Sequence, residues 1–599
     1  MFTTRPELVG TFGMVASTHW LASAAGMAVL EAGGTAFDAA AAAGFTLHVV
    51  EPHLNGPGGE VPAIFSTAAD RTPTVLCGQG VAPAGATIAR YRDELGLPAV
   101  PGTGLLAATV PGAVGGWLAL LRDHGTMPLR DVLSYAIGYA EGGHPVHPRV
   151  SGAIAAVADY FRSAWPSSAE VWLPGGRPPA PGELIRRPAL AATYRRLLVE
   201  AEAAGPDRAE QLEAARRAWY QGFVAEAVDR FCRQELPDDT GRRHAGLLTG
   251  ADLAGWLPSY EPPVAADWRD VTVAKAGAWC QGPVLLQQLA LLGSGELPPH
   301  AGAELIHRTV EGAKLAFADR EAWYGDVADV PLDDLLSSSY ADSRRGLLGE
   351  AASYRLRPGS PGGRQPRLPS YVLDGGGAGN GRPAGPGVAQ PALGEPTVSP
   401  AGTIAGDTCH VDVVDRWGNL ISATPSGGWL QSSPAIPELG FCLGTRAQMF
   451  WLEEGLPSSL APGRRPRTTL SPTLLLRDRV PVLACGTPGG DQQDQWQLCF
   501  LLAHLVAGLD LQAAVDAPAW HTNAFPSSFY PRLTALGEVV VESRVGAETI
   551  AELDRRGHRV TVSGPWSLGR LSAVSRDPGT GLLRAAANPR GMQGYAAGR

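Results

Sequence analysis

An α/β fold whose sheet core is shared by two pieces of one chain is predicted by three observations. Strand and helix patterns occur on both sides of a Pro/Gly-dense stretch, roughly residues 358–406. That stretch ends abruptly at Asp407-Thr408-Cys409-His410. An apolar-alternating strand pattern, His410 to Asp415, follows at once.

The elements follow in order. Gly13 to Ala16 reads as a strand. Leu21 to Glu31 reads as a helix ended by Gly33-Gly34, since glycine just past a periodic run is the usual helix stop. An Ala-rich helix runs from Phe37 to about Val50. Asn55 to Gly59 is a loop, and the absence of GxxxxGK excludes a nucleotide cradle. Residues 105–235 and 300–350 carry Ala, Leu and Arg at helical spacing. Residues 358–406 lack periodicity and read as an extended or disordered linker. After Thr408, strands at His410–Asp415 and Leu420–Thr424 flank a hairpin turn at Arg416–Asn419. Leu474–Leu476 and Val480–Leu483 flank a second turn, and helix returns near 495–516.

A flexible segment that delivers a hydroxyl to the first residue of a buried strand suits a chain that cuts itself. Cleavage between Asp407 and Thr408 gives Thr408 a free α-amine beside its own hydroxyl. That amine has a reference pKa of about 7.7–8.0, so it serves as a base near neutral pH. A threonine paired with its own amine is an activated nucleophile that needs no distant histidine.

Composition excludes other classes. The 599 residues are 45% hydrophobic and 18% charged, with a formal net charge of −9. Such a balance does not suit nucleic-acid binding. Seven scattered cysteines without CxxC spacing argue against a zinc site or a disulfide framework. Cys409 alternates to the face opposite Thr408 and reads as core, and His410 reads as a structural histidine. His144 and His147 do not make a convincing metal pair. The longest apolar run, Ala39 to Val50, is too short to span a bilayer. No secretory signal is evident at the N-terminus, so a soluble, cytoplasmic protein without membrane association is expected.

Four stretches, in order, together resemble the gamma-glutamyltranspeptidase family. They are Gly13–Ser17 through Gly33–Ala40 to Val50–His53; Thr109–Ala113 with Trp117; Thr408–His410 with Val413–Asp415 and Gly418-Asn419; and Ser471–Thr473 with Gly486–Gly490. The resemblance implies a four-layer αββα N-terminal-nucleophile hydrolase sandwich, shared by a large fragment, 1–407, and a small catalytic fragment, 408–599, as one composite domain. The two fragments would stay together as a heterodimer, with further pairing left open. It implies Thr408 as nucleophile, Gly489-Gly490 as the oxyanion hole, and Ser426 where a threonine positions the nucleophile. Thr468-Thr469 stand where a serine pair holds the substrate carboxylate. No metal or organic cofactor is implied.

The chain departs from the family at the amino-acid clamp. Gln79 stands in place of the arginine that reads the glutamyl α-carboxylate. Met449, Gly428 and Arg446 stand at the places of the aspartate, asparagine and glutamine that hold the α-ammonium. Losing a carboxylate that pairs a buried ammonium costs several kcal/mol, roughly 3–5, so a gamma-glutamyl donor is expected to be poor. Arg446 with Thr468-Thr469 instead suits an acidic acyl group. The expectation is hydrolysis or transfer of a non-glutamyl acidic acyl group. Removal of an oxalyl-type group by carbon–carbon cleavage, as in homologues from actinomycete 4-alkylproline pathways, is the alternative within the same chemistry. A true gamma-glutamyl enzyme and an uncut binding homologue are the remaining readings.

Overall fold

The computed structural model describes residues 2–373, 408–591 and 594–599. Asp407 and most of the expected linker lie outside the described residues. Fourteen strands build two large sheets. Four precede residue 100: β1 (Leu8–Gly10), β2 (Gly13–Ser17), β3 (Val61–Ser66) and β4 (Thr74–Gly78). Three follow in mid-chain: β5 (Ser259–Glu261), β6 (Val264–Trp268) and β7 (Val271–Lys275). Beyond Thr408 come β8 (Val411–Asp415), β9 (Leu420–Ala423), β10 (Thr473–Arg477) and β11 (Val480–Gly486). The last are β12 (Ser572–Arg576), β13 (Leu583–Ala587) and β14 (Tyr595–Gly598).

One sheet has the order β14-β2-β8-β9-β3-β4-β5, and the other β1-β13-β12-β11-β10-β7-β6. Both therefore mix strands from before and after Thr408. In the first sheet β8 lies between β2, with Val411 opposite Ser17, and β9, with Val411 opposite Ala423. All pairings within the two sheets are antiparallel.

Strand alternation sorts side chains into layers. Val411 and Val413 point into an outer helical core, while Val414 joins Met14, Ala274, Leu474 and Val574 between the sheets. The outer core of the first sheet includes α1 (Trp20–Glu31) and α2 (Ala36–Val50). Thr35 and Asp38 form a capping box that starts α2, and Gly33, at φ 96, ends the preceding turn. Every residue of α2 is buried, and its run of alanines lets neighbouring backbone come close. The second sheet is covered by α3 (Pro283–Leu292), α4 (Ala303–Trp323) and α5 (Gln493–Leu501). Helix, sheet, sheet, helix is the expected order of layers.

The β8–β9 turn forms because Asp415 Oδ1 accepts the N–H groups of Trp417, Gly418 and Asn419, each at 3.0 Å, with Gly418 at φ 98. The two lysines, Lys275 and Lys314, are both buried in ion pairs, with Asp494 at 3.1 Å and Glu311 at 2.6 Å. The linker expectation needs correction at its start. Residues 358–373 are anchored at points rather than free: Gly359 N donates to Asp319 at 2.6 Å, and Ser370 donates to Glu453, while many of the side chains between are exposed. Their Pro/Gly content serves tight turns against the buried Asp319, so composition alone placed the boundary too early. The helix expected near 495–516 is broken: α5 passes into a wider turn at Leu502–Val506, and a separate helix covers Leu511–Asp516.

Candidate active site

Thr408 is fully buried and is the residue at which the described structure resumes after position 373. It makes an antiparallel bridge to Ser426, which in turn bridges Glu60. The backbone of Ser426 exchanges two hydrogen bonds with Glu60, of 3.0 and 2.8 Å. Thr408 Oγ1 lies 3.3 Å from Ser426 Oγ. Ser426 Oγ accepts from Arg446 Nη2 at 2.7 Å, and Arg446 Nε donates to Glu60. A continuous polar chain thus runs from the Thr408 hydroxyl to a buried carboxylate. Burial pushes the Glu60 carboxyl up, and the adjacent guanidinium only partly offsets this. Arg446 stacks on Trp429 at 4.6 Å and faces Phe529 at 5.6 Å.

The turn after Ser426 needs glycine. Gly427 and Gly428 have φ 83 and 69, and a Cβ on Gly427 would lie 2.7 Å from Glu60 Oε2. Gly428 therefore supplies backbone where the family has an amide side chain. Met449 ends the short turn Arg446–Met449 and is buried.

Gly489 and Gly490 follow β11 on the neighbouring sheet. Gly486 packs directly on the His410 ring, two residues from Thr408, so both loops leave the same end of the sandwich. Gly489 has φ 129 and Gly490 φ 55. A Cβ on Gly489 would stand 2.1 Å from Trp496 Cζ3, so the ring presses on the backbone itself. Asp491 anchors the loop: it pairs with Arg320 and accepts from Ser528 N at 2.8 Å and Ser528 Oγ at 2.6 Å.

Gln281 joins the Gly489-Gly490 loop to the Thr468-Thr469 segment. Its N–H donates to Thr468 O at 3.0 Å and its Nε2 reaches Gly490 O at 3.4 Å. Thr468 Oγ1 accepts from Leu470 N, whereas Thr469 Oγ1 is buried with no protein partner. Neither threonine begins a strand, since β10 starts at Thr473. Gln79 is buried beyond the end of β4, and its Oε1 has no protein partner.

His410 is structural: its ring meets Thr424 Oγ1 and Asp412 Oδ1, each at 2.9 Å. Cys409 faces the other way, as alternation requires, and its thiol donates to Glu51 at 3.0 Å. No cluster of metal-binding side chains occurs among the described residues.

Direct contacts therefore join Thr408, Ser426 and Arg446, while Gln281 links Gly490 to Thr468. Sequence reasoning missed Glu60, Gln281 and Arg320. The one usable signal was Glu60 itself, a lone acid directly after Gly58-Gly59.

The family model described as Gamma-glutamyltranspeptidase matches residues 22–598. The glutathione hydrolase proenzyme of Bacillus subtilis (strain 168) is 28% identical over 595 residues, 97% of this chain and 90% of its own. The oxamate amidohydrolase proenzyme of Klebsiella pneumoniae is 29% identical over 606 residues, 98% of this chain and 99% of its own. The solved structure of LmbA2991HD is 60% identical, with a TM-score of 0.93 over 100% of both chains.

Proposed function

The chain belongs to the gamma-glutamyltranspeptidase family, and on that premise we propose that it cuts itself between Asp407 and Thr408 and then uses Thr408 to remove a non-glutamyl, acidic acyl group. The observation that carries the nucleophile is the 3.3 Å approach of Thr408 Oγ1 to Ser426 Oγ at the head of a buried strand. The relatives are themselves proenzymes.

Thr408 Oγ attacks the substrate carbonyl, and its proton passes to the α-amine freed by cleavage. The tetrahedral oxyanion is met by the backbone N–H groups of Gly489-Gly490, a contribution of roughly 10²–10³ in rate per donor. Collapse breaks the bond to the leaving group, which takes the proton from the ammonium. Water then adds to the acyl ester and restores Thr408. An amine in place of water gives transfer.

The substrate reading rests on the clamp. Met449 and Gly428 offer no charge to an α-ammonium, which argues against a gamma-glutamyl donor. Thr468 and Thr469, with Arg446, favour a carboxylate on the acyl side. Arg446 is shared with Glu60, so its charge is steered rather than fully available. A relative that acts on oxamate carries an acyl group of this kind, acidic and without an α-amine. Cleavage of a carbon–carbon bond to an oxalyl-type group is the second reading, because the same attack and collapse serve a leaving group that departs as a stabilised carbanion and takes its proton from the Thr408 ammonium.

Denaturing intact-mass spectrometry of the fresh chain tests the first step. Two fragments, the smaller beginning at Thr408, are expected. A single 62.5 kDa species, stable over days, would leave a non-catalytic binding protein as the better reading. Incubating the cut protein with oxamate, glutathione and 2-oxo acids then assigns the acyl group by product mass. Robust transfer from glutathione would overturn the substrate reading.

A further inference from the structure

The fold holds a cavity of about 350 Å³ that the reaction above does not use. Three pieces of chain wall it: the end of α4 with the turn after it, residues 322–331; residues 364–367; and residues 455–464. Among the described residues, none of those placed at the Thr408 site lines it. The walls are tied to their surroundings, so the space is built into the fold. Trp323 Nε1 donates to Gly359 O at 3.1 Å, and Arg364 Nη1 donates to Asp329 O at 2.9 Å. Arg367 Nη1 and Nη2 donate to the carbonyls of Gly455 and Glu454, at 3.0 and 3.3 Å. Gly455, at φ 79, leaves room for that guanidinium over its backbone.

Polarity in the cavity is divided by depth. Ala322, Trp323 and Leu456 are buried and apolar, whereas Arg464 is half-buried and Arg364 and Arg367 are exposed. The arginines therefore stand at the mouth, over an apolar floor. Each spends its N–H groups only on backbone carbonyls, Arg464 on Ser459 O at 3.0 Å, and among the described residues none of the three is in an ion pair. A guanidinium carries five N–H groups, so each has several left to offer. Asp329 is the one acid among the described lining residues. Glu453 and Glu454, beside Gly455, are engaged by Ser370 at 2.6 Å and by Arg92 at 3.3 Å. Like charges around a cleft with low-dielectric walls focus a positive potential into it. An anion there gains charge-assisted, forked hydrogen bonds, and an apolar body attached to it gains burial against the floor.

We propose that this cavity is a second binding site, for a small organic anion. Its carboxylate or phosphate group meets Arg364, Arg367 and Arg464, and its apolar body lies on Trp323 and Leu456. The volume is that of a small-molecule site, for which roughly 300–1,000 Å³ is usual. Nothing in this assignment depends on Thr408 or on cleavage of the chain.

The test is calorimetric titration of the full-length protein with phenylacetate and with phenyl phosphate. Phenylacetamide supplies the ring without the charge, and acetate the charge without the ring. At least one of the two ring-bearing anions should bind about ten-fold or more tighter than phenylacetamide and than acetate, and the tighter of the two identifies the acid group. Arg364→Met and Arg367→Met should each weaken that anion about ten-fold. Arg367→Lys, which keeps the charge but not the fork, should fall between Arg367→Met and the parent. Both side chains are exposed, so urea midpoints should match the parent's, and a variant that keeps its midpoint carries the comparison. The Thr408 centre is itself read as taking acids, and an anion bound there would not respond to these variants. Unchanged affinity in both methionine variants, equal binding of phenylacetamide or acetate, or no binding of either ring-bearing anion overturns the proposal.

Discussion

Glu60 and Arg446, 386 positions apart in the chain, form a buried ion pair whose guanidinium also donates to the hydroxyl that touches Thr408. The pair converts a cation expected to face substrate into part of the frame that holds the nucleophile. Both side chains are at most 2% exposed, so the pair is fully desolvated.

Breaking such a pair from one side leaves a buried charge, which typically costs about 3–5 kcal/mol. Glu60→Gln should therefore destabilise strongly and slow the appearance of the Thr408 fragment. Arg446→Met combined with Glu60→Gln removes both charges and should recover much of the stability but not the processing rate, because Ser426 still lacks its donor. Urea midpoints and a mass-spectrometric time course of the parent and the two variants check this. Equal midpoints for the single and double variants would show that the pair carries no such load.

The oxyanion loop makes a sharper case. Gly489→Ala forces a Cβ to within 2.1 Å of Trp496 at φ 129, so the loop must move. Turnover should fall by roughly 10²–10³, as expected when one oxyanion donor is lost. Gly33→Ala is the control: at φ 96 it meets no atom within 4 Å and is far from Thr408 along the chain. It should cost only about 1 kcal/mol of backbone strain and leave turnover intact. Similar turnover in the two variants would refute the role of Gly489.

Asp491 should act through that loop rather than on substrate. Its carboxylate is held by Arg320 and Ser528, and its neighbour Gly490 by Gln281. Asp491→Asn keeps the size but loosens the ion pair. We expect kcat to fall at least about ten-fold with KM within about two-fold, the mark of an interaction felt mainly in the transition state. A rise in KM at constant kcat would place Asp491 in ground-state binding.

The layers were reached through the family resemblance, and the strands and turn after Thr408 through local signals. Alternation in Val411–Val414, the capping box at Thr35 and the turn at Asp415–Asn419 are each encoded within a few residues. Glu60, Gln281 and Arg320 were not legible in the same way. Each matters only through a partner far along the chain, and a lone acid, amide or arginine has no periodicity to betray it. The start of the linker was misplaced for a related reason. Gly359 is held by Asp319, 40 residues earlier, and no composition reveals that contact. Arg446 was singled out by position, but its partner Glu60, far away in the sequence, decides where its charge is directed.

Buried histidines should shape the acid limb of stability. His48 and His521 are both fully buried, and burial lowers each to about 3. His48 is further lowered by Arg187 and shares a 2.9 Å hydrogen bond with Tyr194. Above the unfolded pKa, about 6.5, neither state is protonated and the groups contribute no pH dependence. As pH falls below it, the unfolded chain takes up protons that the folded chain refuses, so stability is lost progressively toward about pH 3. Asp239, pushed up to about 7 by burial, acts in the opposite sense, losing stability as pH rises, so the overall slope mixes both. A variant difference isolates one group. Gln cannot titrate, so the deficit of His521→Gln relative to the parent should shrink by about 1 kcal/mol between about pH 7 and pH 5.5. Urea unfolding at the two pH values measures that deficit. A constant deficit would mean that His521 takes up its proton as readily in the folded protein as in the unfolded chain.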